Sequence, residues 1–311
     1  MIRLSRKELQ ILHQLESNAR QSLSAIAKKC RMSKESANYY IKKLEREGAI
    51  KEYFTLIDRS RLGLTTHRLY IKQRKLDPEV GKGIVRFLKS RPDVWAFGET
   101  SSEFDFAVGV STRDRYEFGD FVEELLNRFG KDILWLETQM MLDYTEYTRE
   151  YLTAESKKTM KTLASKETVK HDSIDLKILG ELRKDARIPF SKIANRLGLS
   201  ERIVRYRVKR MEKMGIIVAY RCNTDYRKLG YDYYKIDLFL EDRTNIEKIR
   251  NFVNALPQTV YSEKTVYYSD IEFDIEVRGT EELLETVQRI AKKFPGALRE
   301  FKYYTMLRFY K

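Results

Sequence analysis

The chain has 311 residues, 42% of them hydrophobic, and carries a formal net charge of +14. That length exceeds one small core and that apolar content sustains real ones, which excludes a disordered chain. No run of roughly 18 apolar residues occurs and the opening MIRLSRKELQ has no apolar stretch, so the sequence predicts a cytoplasmic protein without a helical membrane span or secretory leader.

Helical spacing of apolar residues predicts a first helix from about Arg6 to Glu16, and a short second one from Leu23 to Lys29 with Ser22 as its N-cap. After the tight turn RMS, Ser33 caps a third helix that Gly48 stops, and AIKEYFTLID follows as a β-wing. Helix, helix, turn, helix with a basic face and wing is the order of a winged helix-turn-helix. The next residues alternate between strands and helices: HRLYIKQR, PEVGKGIVRFLKS, VWAFGE, EFDFAVGV, RYEFGDFVEELLNRF and ILWLETQMMLDYTEY. This β-α-β-β-α-β order is ferredoxin-like, a sheet with helices on one face and an open face that needs solvent or a partner.

The chain then repeats itself. Shifted by 167 positions it aligns with itself without a gap for more than fifty residues, Leu9, Ile11, Leu12, Leu15, Ala19 and Arg20 recurring as Leu176, Ile178, Leu179, Leu182, Ala186 and Arg187. The fold class is therefore α+β, with two copies of a winged helix-turn-helix followed by a ferredoxin-like domain. The expected boundaries are residues 1–60 and 61–153 for the first copy, a polar linker at 154–170, and 171–227 and 228–311 for the second.

The charge follows the repeat. Residues 1–53 and 170–220 together hold +13 of the +14, and a surplus confined to two matching segments points to a polyanion, double-stranded DNA first. On the third helices, Ala37, Ile41 and Leu44, and Val204, Val208 and Met211, form the core faces. The outward candidates for DNA contact are Ser33, Lys34, Asn38, Tyr39, Lys42, Lys43 and Arg46 in the first copy. In the second they are Ser200, Arg202, Arg205, Tyr206, Lys209, Arg210 and Lys213. Glu35, Asn38 and Tyr40 replace Arg202, Arg205 and Arg207, and the net charge is +1 over residues 33–47 against +4 over 200–214. An asymmetric reader is expected, with the second helix binding more strongly and with more sensitivity to salt. The two cysteines and three histidines are scattered without metal-ligand spacing, so no metal and no cofactor is expected.

LSERIVRYRVKRMEKMGIIVAY and DLKILGELRKDARIPFSKIANRLGLS resemble the helix-turn-helix of the Lrp/AsnC transcription regulators, and the resemblance extends over almost the whole chain, twice. It implies a DNA-binding regulator that acts without catalysis, a homo-oligomer assembled through the open sheet faces, which one duplicated chain could form internally or two chains as a pseudo-tetramer, and in many members an amino-acid effector. The family's usual Gly-x-x-Asp turn is changed here: Ser102 precedes Asp105 in SEFD and Ile271 precedes Asp274 in IEFD, while Gly98 stands at a different spacing. Gly98, Asp105 and Asp274 are the effector candidates. The repeated EFD is read as strand, with Phe under the helices and the acids on the open face. Siroheme decarboxylases, similar to this family in fold, supply the alternative of an enzyme.

Overall fold

The computed structural model describes residues 2–101, 103–153, 158–266 and 268–310; Ser102 and residues 154–157 of the expected linker lie outside them. Two compact units emerge. The first gathers residues 1–62, 145–232 and 257–260, and the second residues 63–144, 233–256 and 261–311. Both helix-turn-helix copies thus share one unit and both ferredoxin-like copies the other.

In the first unit the helices are α1 (Arg6–Ser17), α2 (Leu23–Lys29) and α3 (Lys34–Arg46), and in the second copy α6 (Ser173–Lys184), α7 (Phe190–Leu197) and α8 (Glu201–Lys213). Local chemistry fixes their starts. Ser5 and Glu8 form a capping box on α1, as do Asp172 and Asp175 on α6, and Ser33 and Ser200 cap α3 and α8. Beyond α3 and α8, Gly48 and Gly215 take φ of 70° and 71°, the left-handed conformation that ends a helix without Cβ strain.

The wing differs from a local hairpin. Strand β1 (Ile50–Ile57) pairs antiparallel with β7 (Ile217–Thr224) of the other copy, Thr55 facing Tyr220. The bond from Ala19 N to Tyr220 O is matched by Ala186 N to Tyr53 O, each 2.9 Å. The cores interleave accordingly: Ile57 of the first copy packs with Leu182, Val204 and Met211, and Cys222 and Leu229 of the second pack with Leu12, Ile41 and Leu44. Lone wing strands have edges that need partners, and the duplication supplies each to the other.

The second unit contains β2 (Thr65–Gln73), α4 (Pro78–Ser90), β3 (Val94–Ser101), β4 (Phe106–Thr112), α5 (Arg115–Phe129) and most of β5 (Ile133–Tyr147). A short β6 (Met160–Leu163) in the first unit pairs with the last residues of β5. The second copy gives β8 (Asp232–Leu240), α9 (Ile246–Ala255), β9 (Thr259–Thr265), β10 (Ile271–Val277), α10 (Gly279–Lys293) and β11 (Leu298–Phe309). The strand order β2-β4-β3-β11-β8-β10-β9-β5, with β5 pairing back to β2, closes an eight-stranded antiparallel ring. Helices cover its outside over two cores, one around Leu69, Phe97 and Phe121 and one around Ile236, Phe273 and Leu283. The open sheet faces expected to meet a partner meet each other within one chain.

Candidate nucleic-acid interface and an interior cavity

On α3 and α8 the expected core residues are buried, and Tyr39 and Tyr206 are exposed at 58% and 66%. Lys34, Lys42 and Arg46 on α3, and Arg202, Lys209 and Lys213 on α8, are exposed with no anionic partner among the described residues. Asn38 is half-buried. The hydroxyls of Ser33 and Ser200 are taken up as caps, accepting from Ser36 N at 3.1 Å and Ile203 N at 3.3 Å.

Three candidates, Lys43, Arg205 and Arg210, are held back, and so is Arg207 beside them. Lys43 Nζ lies 2.7 Å from Glu8, and its counterpart Arg210 is bonded to Asp175, the residue that matches Glu8 in the repeat. Arg205 pairs with Glu201 at 2.5 Å. Arg207 is tied most tightly, reaching Asp172 and Asp175 at 2.8 and 2.9 Å. Its bond to the Asp172 carboxyl holds that group down to about 2. Burial works against ionisation of Glu8, but hydrogen bonds from Lys43 and Ser5 win and hold it below the usual carboxylate range. Much of the arginine excess on α8 is therefore neutralised by the first helix of its own copy.

A residue that outward-face reasoning overlooked is Arg20. Its guanidinium crosses to the other copy, donating to Ala186 O at 2.5 Å and Ile188 O at 2.9 Å, and lies 4.0 Å above the Phe190 ring. Arg205 covers the same ring at 5.2 Å. The signal was its recurrence as Arg187.

The effector candidates separate. Asp105 accepts from Gln73 N at 2.6 Å and pairs with Lys72 at 3.0 Å, ahead of β4. Asp270 does the same job in the second copy, accepting from Leu240 N at 2.8 Å, so Asp105 corresponds to Asp270 and not to Asp274. The repeated EFD is a false match and its strand reading is corrected for the first copy. There it is a turn, and Phe104 enters the ring to stack on Tyr70, away from the helices. In the second copy it sits inside β10 as expected, Phe273 under the helices and Glu272 and Asp274 on the opposite face.

That face is charged although buried. Lys235 Nζ lies 2.9 Å from Glu263, 3.1 Å from Glu272 and 3.7 Å from Asp274, Arg68 is bonded to Glu263, and Tyr233 donates to Asp274. A cavity of about 40 Å³ joins Gly98 and Asp274, with Arg68, Lys235, Tyr233 and Phe97 among its walls. Sequence alternation held a signal for this in KID of β8, where Lys235 and Asp237 share the face away from the helices. Among the described residues no cluster of His, Cys, Asp or Glu could hold a metal, and no helix is long and apolar enough to cross a membrane.

The winged helix-turn-helix DNA-binding model matches residues 4–51 and again 171–218. Regulatory protein AsnC of Haemophilus influenzae is 34% identical over 105 residues, 33% of this chain and 67% of AsnC. Transcriptional regulator LysM of Sulfurisphaera tokodaii is 32% identical over 117 residues, 38% of this chain and 74% of LysM. LrpA of Pyrococcus horikoshii reaches 49% over 65 residues, 21% of this chain and 46% of LrpA. Among solved structures, the siroheme decarboxylase NirDL matches with a TM-score of 0.65 at 13% identity, covering 98% of this chain and 92% of that one. The expectation of a protein without catalysis is overturned by this last match, because the fold that spans both copies is that of an enzyme. By its sequence relatives, which are DNA-binding transcription regulators, the chain belongs to the Lrp/AsnC family.

Proposed function

We propose that the chain is a transcription regulator that engages DNA through α3 and α8 as an unequal pair, with an effector taken at the cavity beside Gly98 and Asp274. The observation that carries this reading is the exposed cations without an anionic partner among the described residues, Lys34, Lys42 and Arg46 and Arg202, Lys209 and Lys213, of which Lys42 matches Lys209 and Arg46 matches Lys213, each on a helix that follows a tight turn and is joined to the other through β1 and β7. Lys42, Arg46, Lys209 and Lys213 suit phosphates, whereas Arg202 and Arg205 near the N-terminal end of α8 suit base edges where α3 has Glu35 and Asn38. The inequality then lies in what is read more than in total charge. Two half-sites about one helical turn apart, ~34 to 36 Å, are expected. Affinity for genomic fragments measured against salt tests the reading: binding that is absent even at low salt removes it.

A second reading is favoured by the whole-chain likeness to NirDL, which has also been solved with an iron-uroporphyrin III analogue. It assigns the second unit to a tetrapyrrole. His67, the one histidine of that unit, faces the helices and stacks on Phe118 at 3.9 Å, so such chemistry would rest on other groups. An absorbance titration with siroheme decides, a tight stoichiometric complex supporting this reading and an unchanged spectrum removing it.

A further inference from the structure

The inside of the ring is not balanced in charge. Two bases, Arg68 and Lys235, stand among the buried carboxylates Asp237, Glu263, Glu272 and Asp274, of which Asp274 is 6% exposed and the others less, and fully buried Glu276 shares their face of β10. Burial pushes the Asp237 carboxyl well above its usual range. Carboxylates outnumber the two cations on this face, and a buried charge is strongly unfavourable unless something pairs with it.

The geometry places the leftover charge. Glu263 is bonded to both Arg68 and Lys235, and Glu272 has a hydroxyl from Thr265 on Oε1 and, on an Oε2 that accepts no hydrogen bond, the charge of Lys235 at 3.1 Å. Asp274 has the Tyr233 hydroxyl on Oδ2, but its Oδ1 accepts no hydrogen bond, with Lys235 Nζ too far at 3.7 Å. Asp274 lines the cavity of about 40 Å³, whose other walls include Phe97, Tyr304, Met306 and Phe309. An orphaned anionic acceptor beside aromatic faces is the environment of an ammonium group, with the carboxylate as hydrogen-bond partner and the rings as cation-π surface. Arg68 and Lys235 also line the cavity, and both are already bonded to Glu263.

We propose that this cavity binds a small primary amine, its ammonium group donating to Asp274 Oδ1 and its short apolar part lying along Tyr304, Met306 and Phe309. Since one water needs ~10 to 15 Å³, the space fits a ligand of about three to four non-hydrogen atoms, such as ethylamine or n-propylamine. Strands β2 and β3 of the first copy and β8, β10 and β11 of the second all border the cavity, so the ligand touches both copies where β3 meets β11. Occupancy therefore stabilises ring closure by mass action. The proposal rests on the effector half of the proposed function and deepens it, and its test uses no DNA, so either can fail without the other.

The full chain is titrated with n-propylammonium chloride at constant ionic strength against sodium chloride, with sodium acetate as a parallel arm, by calorimetry and thermal melting. Saturable heat and a rise in melting temperature of about 5 to 10 °C at a hundredfold excess over Kd are expected from the amine and nothing from acetate. Asp274→Asn should abolish the response while itself melting higher than the parent, because the uncompensated charge is gone. Ala107→Leu, which fills the cavity and leaves the carboxylate in place, should also abolish it. No saturable response to the amine, an unchanged response in either variant, or binding of acetate instead would overturn the proposal.

Discussion

Arg207 donates from one Nη1 to both carboxylate oxygens of Asp172 at 2.8 Å and to Asp175 at 2.9 Å, which turns a residue of the recognition helix toward the first helix of its own domain. Asp172→Asn keeps the N-cap, since Asn caps as well as Asp, but removes one of the two anions that hold Arg207. Freed guanidinium is then available to a phosphate. The expected result is DNA binding two- to fivefold tighter, at about 1 kcal/mol or less, with the salt slope steeper by up to about one ion. Because Asp172 is depressed to about 2 in the folded chain, its contribution to stability is present above its ordinary range near 3.8 and lost only as pH falls toward about 2. The Asp172 carboxyl resonance, followed by NMR from pH 5 to 1.5, gives the midpoint directly, and a midpoint near 3.8 refutes the lock.

Arg202 is exposed and unpaired at the N-terminal end of α8, where Glu35 stands on α3. Arg202→Glu removes the proposed base-edge donor, a contact worth about 1 to 3 kcal/mol, and adds a repulsive charge, so affinity should drop by roughly ten- to a hundredfold or more. Glu35→Arg should strengthen binding, by less than Arg202→Glu weakens it. Equal and small effects from both substitutions, measured by gel shift on a selected fragment, would remove the asymmetric reading.

Arg20 joins the two helix-turn-helix copies through the carbonyls of Ala186 and Ile188 and the face of Phe190. Arg20→Ala leaves two carbonyls without their charged donor at a cost of about 2 kcal/mol, which for a unit of this size lowers the melting temperature by roughly 4 to 8 °C. Arg20→Lys should recover only part of this, because an ammonium cannot span both carbonyls as a guanidinium does. Differential scanning calorimetry of the three proteins checks it, and a shift below 1 °C for the alanine variant would mean that the wing strands alone hold the pair.

The helices were readable because their signals are local: Ser5, Ser22, Ser33 and Ser200 cap, and Val204, Val208 and Met211 repeat on one face. What β1 and β7 pair with was not, since a lone alternating strand says which face is buried and nothing about its neighbour. The same limit hid the ring, whose closing contacts join strands far apart in sequence, Gly98 with Phe309 for one. Counting charge misled for a related reason: Arg207 and Arg210 add to the net charge of α8, but Asp172 and Asp175, which cancel them, lie more than thirty positions away. The EFD repeat misled because the connection through α4 from β2 to β3 is two residues longer than the one through α9 from β8 to β9, a difference that Asp105 and Asp270 reveal through their bonds to Gln73 and Leu240.

Asp274 gives the ring a pH dependence with a definite sign. Burial raises its carboxyl to about 6 against the pull of Lys235, and the same group is faced by Glu263 from β9, Arg68 from β2 and Tyr233 from β8. A carboxyl raised in the folded state stabilises that state when protonated. Its contribution is therefore complete below about 3.8 and is lost as pH rises through about 6. Other carboxylates, Asp172 among them, stabilise in the opposite direction, so the whole-chain profile mixes the two and only a difference isolates Asp274. The melting temperature of the parent minus that of Asp274→Asn should fall between pH 4 and 7 and level off above, the variant being the more stable at neutral pH. Thermal melts in matched buffers at pH 4, 5, 6 and 7 measure it. A difference that stays flat over that range, or one that rises with pH, would show that Asp274 is ionised and satisfied throughout and that Lys235 serves it as fully as it serves Glu263.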